Sequence, residues 1–269
     1  MFFFFFFTPT YSLTHSTHTR YAKHLRDQQP KASSKGGDYN LGTGDDAKKV
    51  RERIAYIVNT ASYCTDTINQ LESIIQDEID KAFAEHIDMS TESESFYDVI
   101  SSSINILVSS TVLNLKPSLS AMVQMSWDSV DKVGDASDYV SIIQTTLEND
   151  IPITRDTLAS VYFRGFCDRF ASVFLPRFLE NIFKCKNVNE MAAQQLLLDT
   201  NAVKDLVLSI PILGLDEEAA QKVKQSKRSV LTNATFMKLV NQSFSKTEVL
   251  IKIVGAPKTG LVDSFKTFW

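Results

Sequence analysis

An aromatic stripe in the second half of the chain restricts its fold more than any other sequence feature. Between residues 166 and 182, six large apolar side chains recur every three or four positions: Phe166, Phe170, Val173, Phe174, Phe178 and Ile182. That interval matches the helical repeat and predicts one buried face of a helix. A short loop over residues 184–189 leads to a second helical run, and two helices joined so closely are expected to pack as near-antiparallel neighbours.

Helical periodicity of the same kind extends through most of the chain. It predicts helices over 47–87, 95–115, 137–149, 154–184, 189–208 and 230–243, a short helix and turn over 117–134, and a final apolar run over 246–254. The 269 residues include only nine glycines and seven prolines, which suits long helices better than a many-turned β fold. We therefore expect an all-α protein in which Pro152 marks a helix boundary and Pro176 kinks or splits a helix.

The first predicted helix carries a heptad-like seam. Apolar side chains recur at steps of three and four along it: Ile54, Ile57, Ala61, Cys64, Ile68, Leu71 and Ile75. Such a seam is typical of a coiled coil or of one helix in a bundle. Burial of each large seam side chain contributes roughly 1.5–3 kcal/mol, so the seam rather than helix propensity holds this helix in place.

Composition divides the chain near residue 46. Residues 1–46 have few periodic apolar positions and are rich in Thr, Ser, His, Gln, Gly and Lys, which predicts a disordered, low-complexity N-terminal segment. Residues 47–269 are predicted to form the helical-bundle region. The chain ends on an amphipathic stretch, residues 260–269, that stops after about two helical turns, and we interpret this as a truncated end.

The inventory of reactive residues argues against an enzyme. Three of the four histidines lie within residues 1–46 at irregular spacing, and the predicted folded region holds one, His86. No nucleophile elbow, metalloprotease motif, cysteine-pair zinc motif, phosphate loop or dinucleotide fingerprint is present. Cys64, Cys167 and Cys185 lie far apart and are interpreted as reduced thiols. We therefore expect no catalytic residue, no metal and no cofactor.

A small basic cluster is the candidate contact site. Lys222, Lys224, Lys227 and Arg228 follow one another closely in a polar stretch between two predicted helices. They could contact an anionic membrane surface or a partner protein, each charge near a membrane contributing about 1 kcal/mol. The alternative interpretation is a solvated face without a ligand. The net charge of −4 gives no strong field that would recruit nucleic acid, so no nucleic-acid partner is expected.

Several segments resemble, in the same order, the C-terminal region of the vacuolar protein sorting-associated protein 53 family. The segments are ASYCTDTINQLESIIQ (residues 61–76), FYDVISSSINILV, MSWDSVDKVGDASDYVSII, LPRFLENIFKCK, QQLLLDT, TEVLIKIVGAP and LVDSF. Ordered matches of this kind are much more specific than any single motif. The resemblance covers about residue 50 to the end, and residues 1–46 carry no segment that we match to the family.

The resemblance implies an elongated rod of stacked helical bundles in a non-enzymatic subunit of a vesicle-tethering complex, the Golgi-associated retrograde protein complex. It implies a cytosolic protein, peripheral at trans-Golgi network and endosome membranes, that acts with three sister subunits and with SNAREs in retrograde transport from endosomes. A related endosomal recycling complex shares the subunit. Family members are several times longer and begin with coiled-coil segments that this chain lacks.

Two other interpretations remain open from the sequence. The phenylalanine row from Phe166 to Phe178 could line a groove between helices in a lipid-binding protein. The chain could also be a general helical scaffold without a role in transport. A lipid-filled cavity between helices would favour the first of these.

The seam of the first helix generates a stability prediction. We expect Ile68→Asp to be the most damaging single change in this helix, because it places a charge inside the apolar seam. Thermal unfolding measured by circular dichroism should show a clearly lowered Tm. An unchanged Tm would contradict the buried seam.

Overall fold

The computed structural model describes residues 16–31, 39–225 and 234–255, and every structural statement below concerns these residues. They form ten α-helices: α1 (16–27), α2 (Asp45–Glu78), α3 (Lys81–Ala84), α4 (Ser90–Asn114), α5 (Lys116–Gln124), α6 (Asp138–Thr157), α7 (Ser160–Ile182), α8 (Glu190–Ser209), α9 (Glu217–Gln225) and α10 (Ala234–Gly255). Two 3-10 turns, Trp127–Ser129 and Ile210–Ile212, complete the regular structure, and the described residues contain no strand. The expected all-α class is confirmed.

The α2–α4 pair is the most extensive helix contact of the fold. The two helices run antiparallel, since Arg51 near the start of α2 bonds to α4 at Ser110, whereas Asn69 bonds to Ser93 at its beginning. The predicted seam faces this contact: Ile54, Ala61 and Ile68 are fully buried. α2 nevertheless ends at Glu78 and not at residue 87, because Ile79 is extended and the Asp80 side chain caps the short helix α3.

The boundary between α6 and α7 lies further along the chain than predicted, since the predicted helices end at residue 149 and begin at residue 154. Pro152 lies inside α6, and the helix continues to Thr157 before α7 begins at Ser160. The break is made by Asn59 of α2, whose amide nitrogen donates to the Thr157 carbonyl at 2.8 Å and whose amide oxygen accepts from the Ala159 N–H at 3.1 Å. A single side chain from a distant helix therefore satisfies both helix ends.

The phenylalanines of the aromatic stripe are buried as predicted, whereas Val173 of the same stripe is only partly buried. Phe163, Phe166, Phe170, Phe174 and Phe178 stack consecutively along α7 with ring centroids 5.3–6.3 Å apart, and Phe244 of α10 lies 6.0 Å from the last ring. Pro176 does not split the helix, since α7 runs without interruption to Ile182. The buried rings on either side of the proline anchor the helix at that point.

α10 corrects a further prediction, because the runs 230–243 and 246–254 were expected to be separate. One helix runs from Ala234 to Gly255, while residues 226–233 lie outside the described part. The buried side chains of α10 recur at helical spacing through the polar stretch: Phe236, Val240, Phe244, Thr247 and Ile251. The polar residues between them face solvent, so they do not interrupt the helix.

The segment predicted to be disordered contains an ordered helix in its described part. Ala22 and Leu25 of α1 are 2% and 5% exposed and belong to the core. The Gln29 amide donates to the Val99 carbonyl and to the hydroxyls of Ser102 and Ser103 of α4. Residues 1–15 and 32–38 lie outside the described residues, and the predicted domain division at residue 46 stays a prediction.

A buried ion pair joins three helices. Arg51 of α2 is 1% exposed and donates to Asp150 of α6 at 2.6 Å, while Thr111 and Ser110 of α4 accept from the same guanidinium. Asn114 of α4 donates to the same Asp150 oxygen at 3.0 Å. Burial lowers the pKa of Arg51 and raises the pKa of Asp150, in each case against the attraction of the partner charge.

Breaking this pair should cost more than removing it. We expect Arg51→Met to lower the free energy of unfolding by about 3–5 kcal/mol, because Asp150 would stay buried without its cation. The double variant Arg51→Met/Asp150→Leu should lose clearly less. Urea denaturation measures both, with the exposed Arg53→Met on the same helix as control. Equal losses in the single and double variants would contradict the argument.

Candidate functional site

Two of the four residues of the predicted basic cluster lie in the described part of the structure. Lys222 and Lys224 lie on α9, which has no buried residue and therefore rests on the surface. The Lys222 ammonium forms an ion pair with Glu218, one turn earlier, at 2.6 Å. Lys227 and Arg228 lie outside the described residues. The two described lysines are exposed, so they are accessible to an anionic surface.

The helix that presents these lysines is fixed at its beginning. The Asp216 side chain accepts from the Ala219 N–H at 2.7 Å and caps α9. Before it, Gly214 adopts a φ of +75° against the ring of Pro152, where a Cβ would lie 3.0 Å from Cγ. Arg155 of α6 also donates to the Leu213 carbonyl. The lysines therefore project from a helix that is anchored to α6 through its preceding turn.

The phenylalanine row borders an open space at Phe178, the last of its rings. Its rings contact one another in the core, and the space beside them is a half-open cavity of about 200 Å³ between α7 and α10. Leu175, Pro176, Leu179 and Phe244 are among its lining residues. Ligand pockets generally measure roughly 300–1,000 Å³, so this cavity is small for a lipid.

A second cavity, polar and wide open, lies between α1 and α4. Arg26, Gln29, Asp98, Ser101, Ser102 and Asn105 line its volume of about 340 Å³. Arg26 and Asp98 are 3.7 Å apart and both exposed, and Gln29 is already bonded to α4. Solvated pairs of this kind contribute little energy. The contacts in this cavity are explained by the docking of α1.

Sequence reasoning missed a polar row on α8 that holds the loop before α6. Asn189 donates to the carbonyls of Asp128 and Val130, and Gln195 bonds to the backbone of Gly134 and Asp135. Asp199, fully buried, accepts from Gln195 and from the Ser137 N–H. The signal was available, because Gln195 and Asp199 stand one turn apart on the apolar side of the helix.

The thiols sit in surroundings that oppose their ionisation. Burial raises the pKa of Cys185 to about 11 and raises the pKa values of Cys64 and Cys167. Burial, with the charge of Asp199 adding to it, also raises the pKa of Tyr139. In the described residues no group of three or more His, Cys, Asp or Glu side chains could hold a metal ion.

One stretch, Ser90–Gln124, is long and apolar enough to cross a membrane by length and composition. It corresponds to α4 and α5, and most of it is buried inside the fold. Its apolar side chains pack against α2 and α7, which accounts for its composition.

Comparison with known proteins supplies relatives over nearly the whole chain. The chain is 35% identical over 254 residues to "Vacuolar protein sorting-associated protein 53 A" of Arabidopsis thaliana, covering 93% of the chain and 29% of that protein. It is 28% identical over 233 residues to the vacuolar protein sorting-associated protein 53 homolog of Caenorhabditis elegans, covering 81% of the chain and 27% of that protein. The chain thus spans less than a third of these relatives. No family model matches it.

The match to the plant protein covers 93% of the chain, which is more than residues 47–269 alone can supply. It therefore extends into the segment 1–46, in agreement with the ordered helix α1. Among solved structures, the C-terminal domain of the exocyst subunit Sec6p has a TM-score of 0.57 at 14% identity, covering 97% of this chain and 59% of that one. At this identity the likeness concerns the fold.

Proposed function

The chain is homologous to the C-terminal region of vacuolar protein sorting-associated protein 53, and from that premise we propose that it acts in a non-enzymatic subunit of a multisubunit vesicle-tethering complex. The observation that carries the proposal is the 254-residue match to the Arabidopsis protein. The fold likeness to an exocyst subunit concerns backbone shape alone and agrees with the all-helical architecture that the proposal requires.

The finer role follows from the family resemblance. The subunit works in retrograde transport from endosomes to the trans-Golgi network and in endosomal recycling. It is a cytosolic protein at the surface of these membranes, where it acts with its sister subunits and with SNAREs. The chain contributes helix surfaces to this work: its described part is a bundle with a closed aromatic core and exposed outer faces.

The lipid-binding alternative receives less support. A lipid carrier needs an enclosed apolar volume, whereas the phenylalanine rings fill the space between the helices with their own side chains. Extraction of the purified chain with organic solvent, followed by mass spectrometry, would detect a bound lipid and would favour the alternative.

Purification of the native protein tests the tether. We expect a tagged bait, isolated from its source cells, to bring down three other large coiled-coil subunits in comparable amounts. The bait's own mass is read in the same experiment and compared with the 30.2 kDa of this chain. An unrelated helical cytosolic protein with the same tag is the control. A bait that is recovered without such subunits contradicts the proposal.

The basic cluster is proposed as a contact with anionic membrane. Because each lysine near such a surface contributes about 1 kcal/mol, Lys222→Gln/Lys224→Gln should weaken binding to phosphatidylserine vesicles by about thirtyfold. Co-sedimentation at low salt measures the effect. The matched control is Lys238→Gln/Lys252→Gln, which removes two exposed charges from α10. Equal binding by the two double variants contradicts a role for the cluster.

A further inference from the structure

The solvent face of α2 carries a second row of residues at coiled-coil spacing. The row, which we term the outer stripe, proceeds by steps of four and three: Tyr56, Thr60, Tyr63, Thr67, Gln70 and Ile74. Its large side chains are the exposed ones, with Tyr56 at 62%, Tyr63 at 72% and Ile74 at 58%. Steps of this kind keep a row in line along about three heptads, the geometry by which one helix receives another.

A neighbouring element widens this surface. Asn59, between Tyr56 and Tyr63 on the same side of α2, bonds to Ala159 at the start of α7. Two residues further on, Val161 is 64% exposed. The α6–α7 junction therefore lies along one side of α2, and the exposed Val161 follows two residues beyond this contact. Aromatic and branched apolar side chains in one row make a patch, unlike the single exposed apolar residues that any surface carries.

The acidic residues beside the outer stripe determine which kind of helix can bind to it. Glu52, Asp66 and Asp77 lie along the edge of the stripe that also holds Asn59, and all three are exposed. Among the described residues, neither Asp66 nor Asp77 forms an ion pair. In a helix pair the residues flanking the seam face the flanking residues of the partner. A partner with Lys or Arg at those positions is thus complementary to this edge.

The same charges disfavour a second copy of the chain. Antiparallel pairing of two α2 helices would set the acidic edge of one against the acidic edge of the other. Parallel pairing would set Asp66 and Asp77 against the stretch of α2 that carries Cys64 and Leu71, which offers no positive charge, and would bring only Glu52 near Arg53. Like charges placed together at a helix interface select against that pairing.

From this geometry we infer that the outer stripe of α2 is a docking surface for an α-helix of another protein, with an apolar heptad seam flanked by lysine or arginine. The tyrosines supply the central contacts, since large aromatic side chains with few rotatable bonds are typical anchors of interfaces. Asp66 and Asp77 select the basic helix. This surface is separate from Lys222 and Lys224, which lie on α9 and would attract partners of the opposite charge.

A designed helix tests the inference on the purified chain without knowledge of the natural partner. The probe is a fluorescent four-heptad peptide with leucine in the seam and lysine on both flanks. Two further peptides serve as controls, one with glutamate on the flanks and one with the lysine peptide's composition in scrambled order. Fluorescence anisotropy at about 150 mM salt measures binding, because screening at this ionic strength suppresses long-range attraction. We expect saturable binding of the lysine peptide and at least tenfold weaker binding of both controls.

Variants locate the binding on the chain. Tyr63→Ser should weaken binding of the lysine peptide by about tenfold or more, whereas Tyr97→Ser, at an exposed tyrosine of α4, should leave it unchanged. Asp66→Lys/Asp77→Lys should weaken the lysine peptide and strengthen the glutamate peptide. Asp131→Lys/Glu180→Lys changes the net charge equally at exposed positions elsewhere. This control should leave the preference for the lysine peptide over the glutamate peptide unchanged.

Three results would overturn the inference. The first is the absence of saturable binding up to a peptide concentration of about 100 μM. The second is binding that the Tyr63 and Asp66/Asp77 variants leave unchanged. The third is a dimer of the chain in analytical ultracentrifugation that Tyr63→Ser dissociates, which would assign the stripe to a second copy. These results do not depend on whether the native protein co-purifies with tether subunits.

Discussion

The guanidinium of Arg51 lies where α2, α4 and α6 meet, and the arrangement of these helices depends on its partners. Removing a charge from water is costly, so the position is stable only because Asp150, Thr111 and Ser110 all accept from it. Apolar packing can slide by small amounts, whereas a buried cation with three acceptors fixes the helices in one register. The aromatic row of α7 then packs on a framework whose geometry is already set.

The helices with a periodic apolar pattern could be predicted from the sequence, whereas the residues at which some helices begin and end could not. The seam of α2 and the stripe of α7 are repeats that a reader of the sequence can count. The α6–α7 boundary depends on Asn59, about a hundred residues away, and local rules placed it at Pro152 instead. In α10 a polar surface looked like a break. Of the candidate site, sequence located the lysines of α9, while the polar row of α8 became evident only with the loop that it holds.

The helical bundle has properties that suit the proposed tethering function. The chain corresponds to less than a third of the proteins that it resembles, and its described part exposes several helix faces. A tether must span distance and hold partners at defined places along its length. A bundle with an interlocked core suits that task, because its exposed faces keep their relative positions when one of them is engaged.

The turn between α5 and α6 gives the molecule an internal optical reporter. Trp127, one of two tryptophans in the chain, is fully buried, and its indole N–H donates to the Met122 carbonyl at 3.0 Å. Its emission wavelength depends on how dry and how fixed that pocket stays. The loop that follows is held by the polar row of α8, so loosening of α8 would change the surroundings of the indole. Fluorescence of a Trp269→Phe chain would therefore follow the opening of this end of the bundle in real time, without an attached dye.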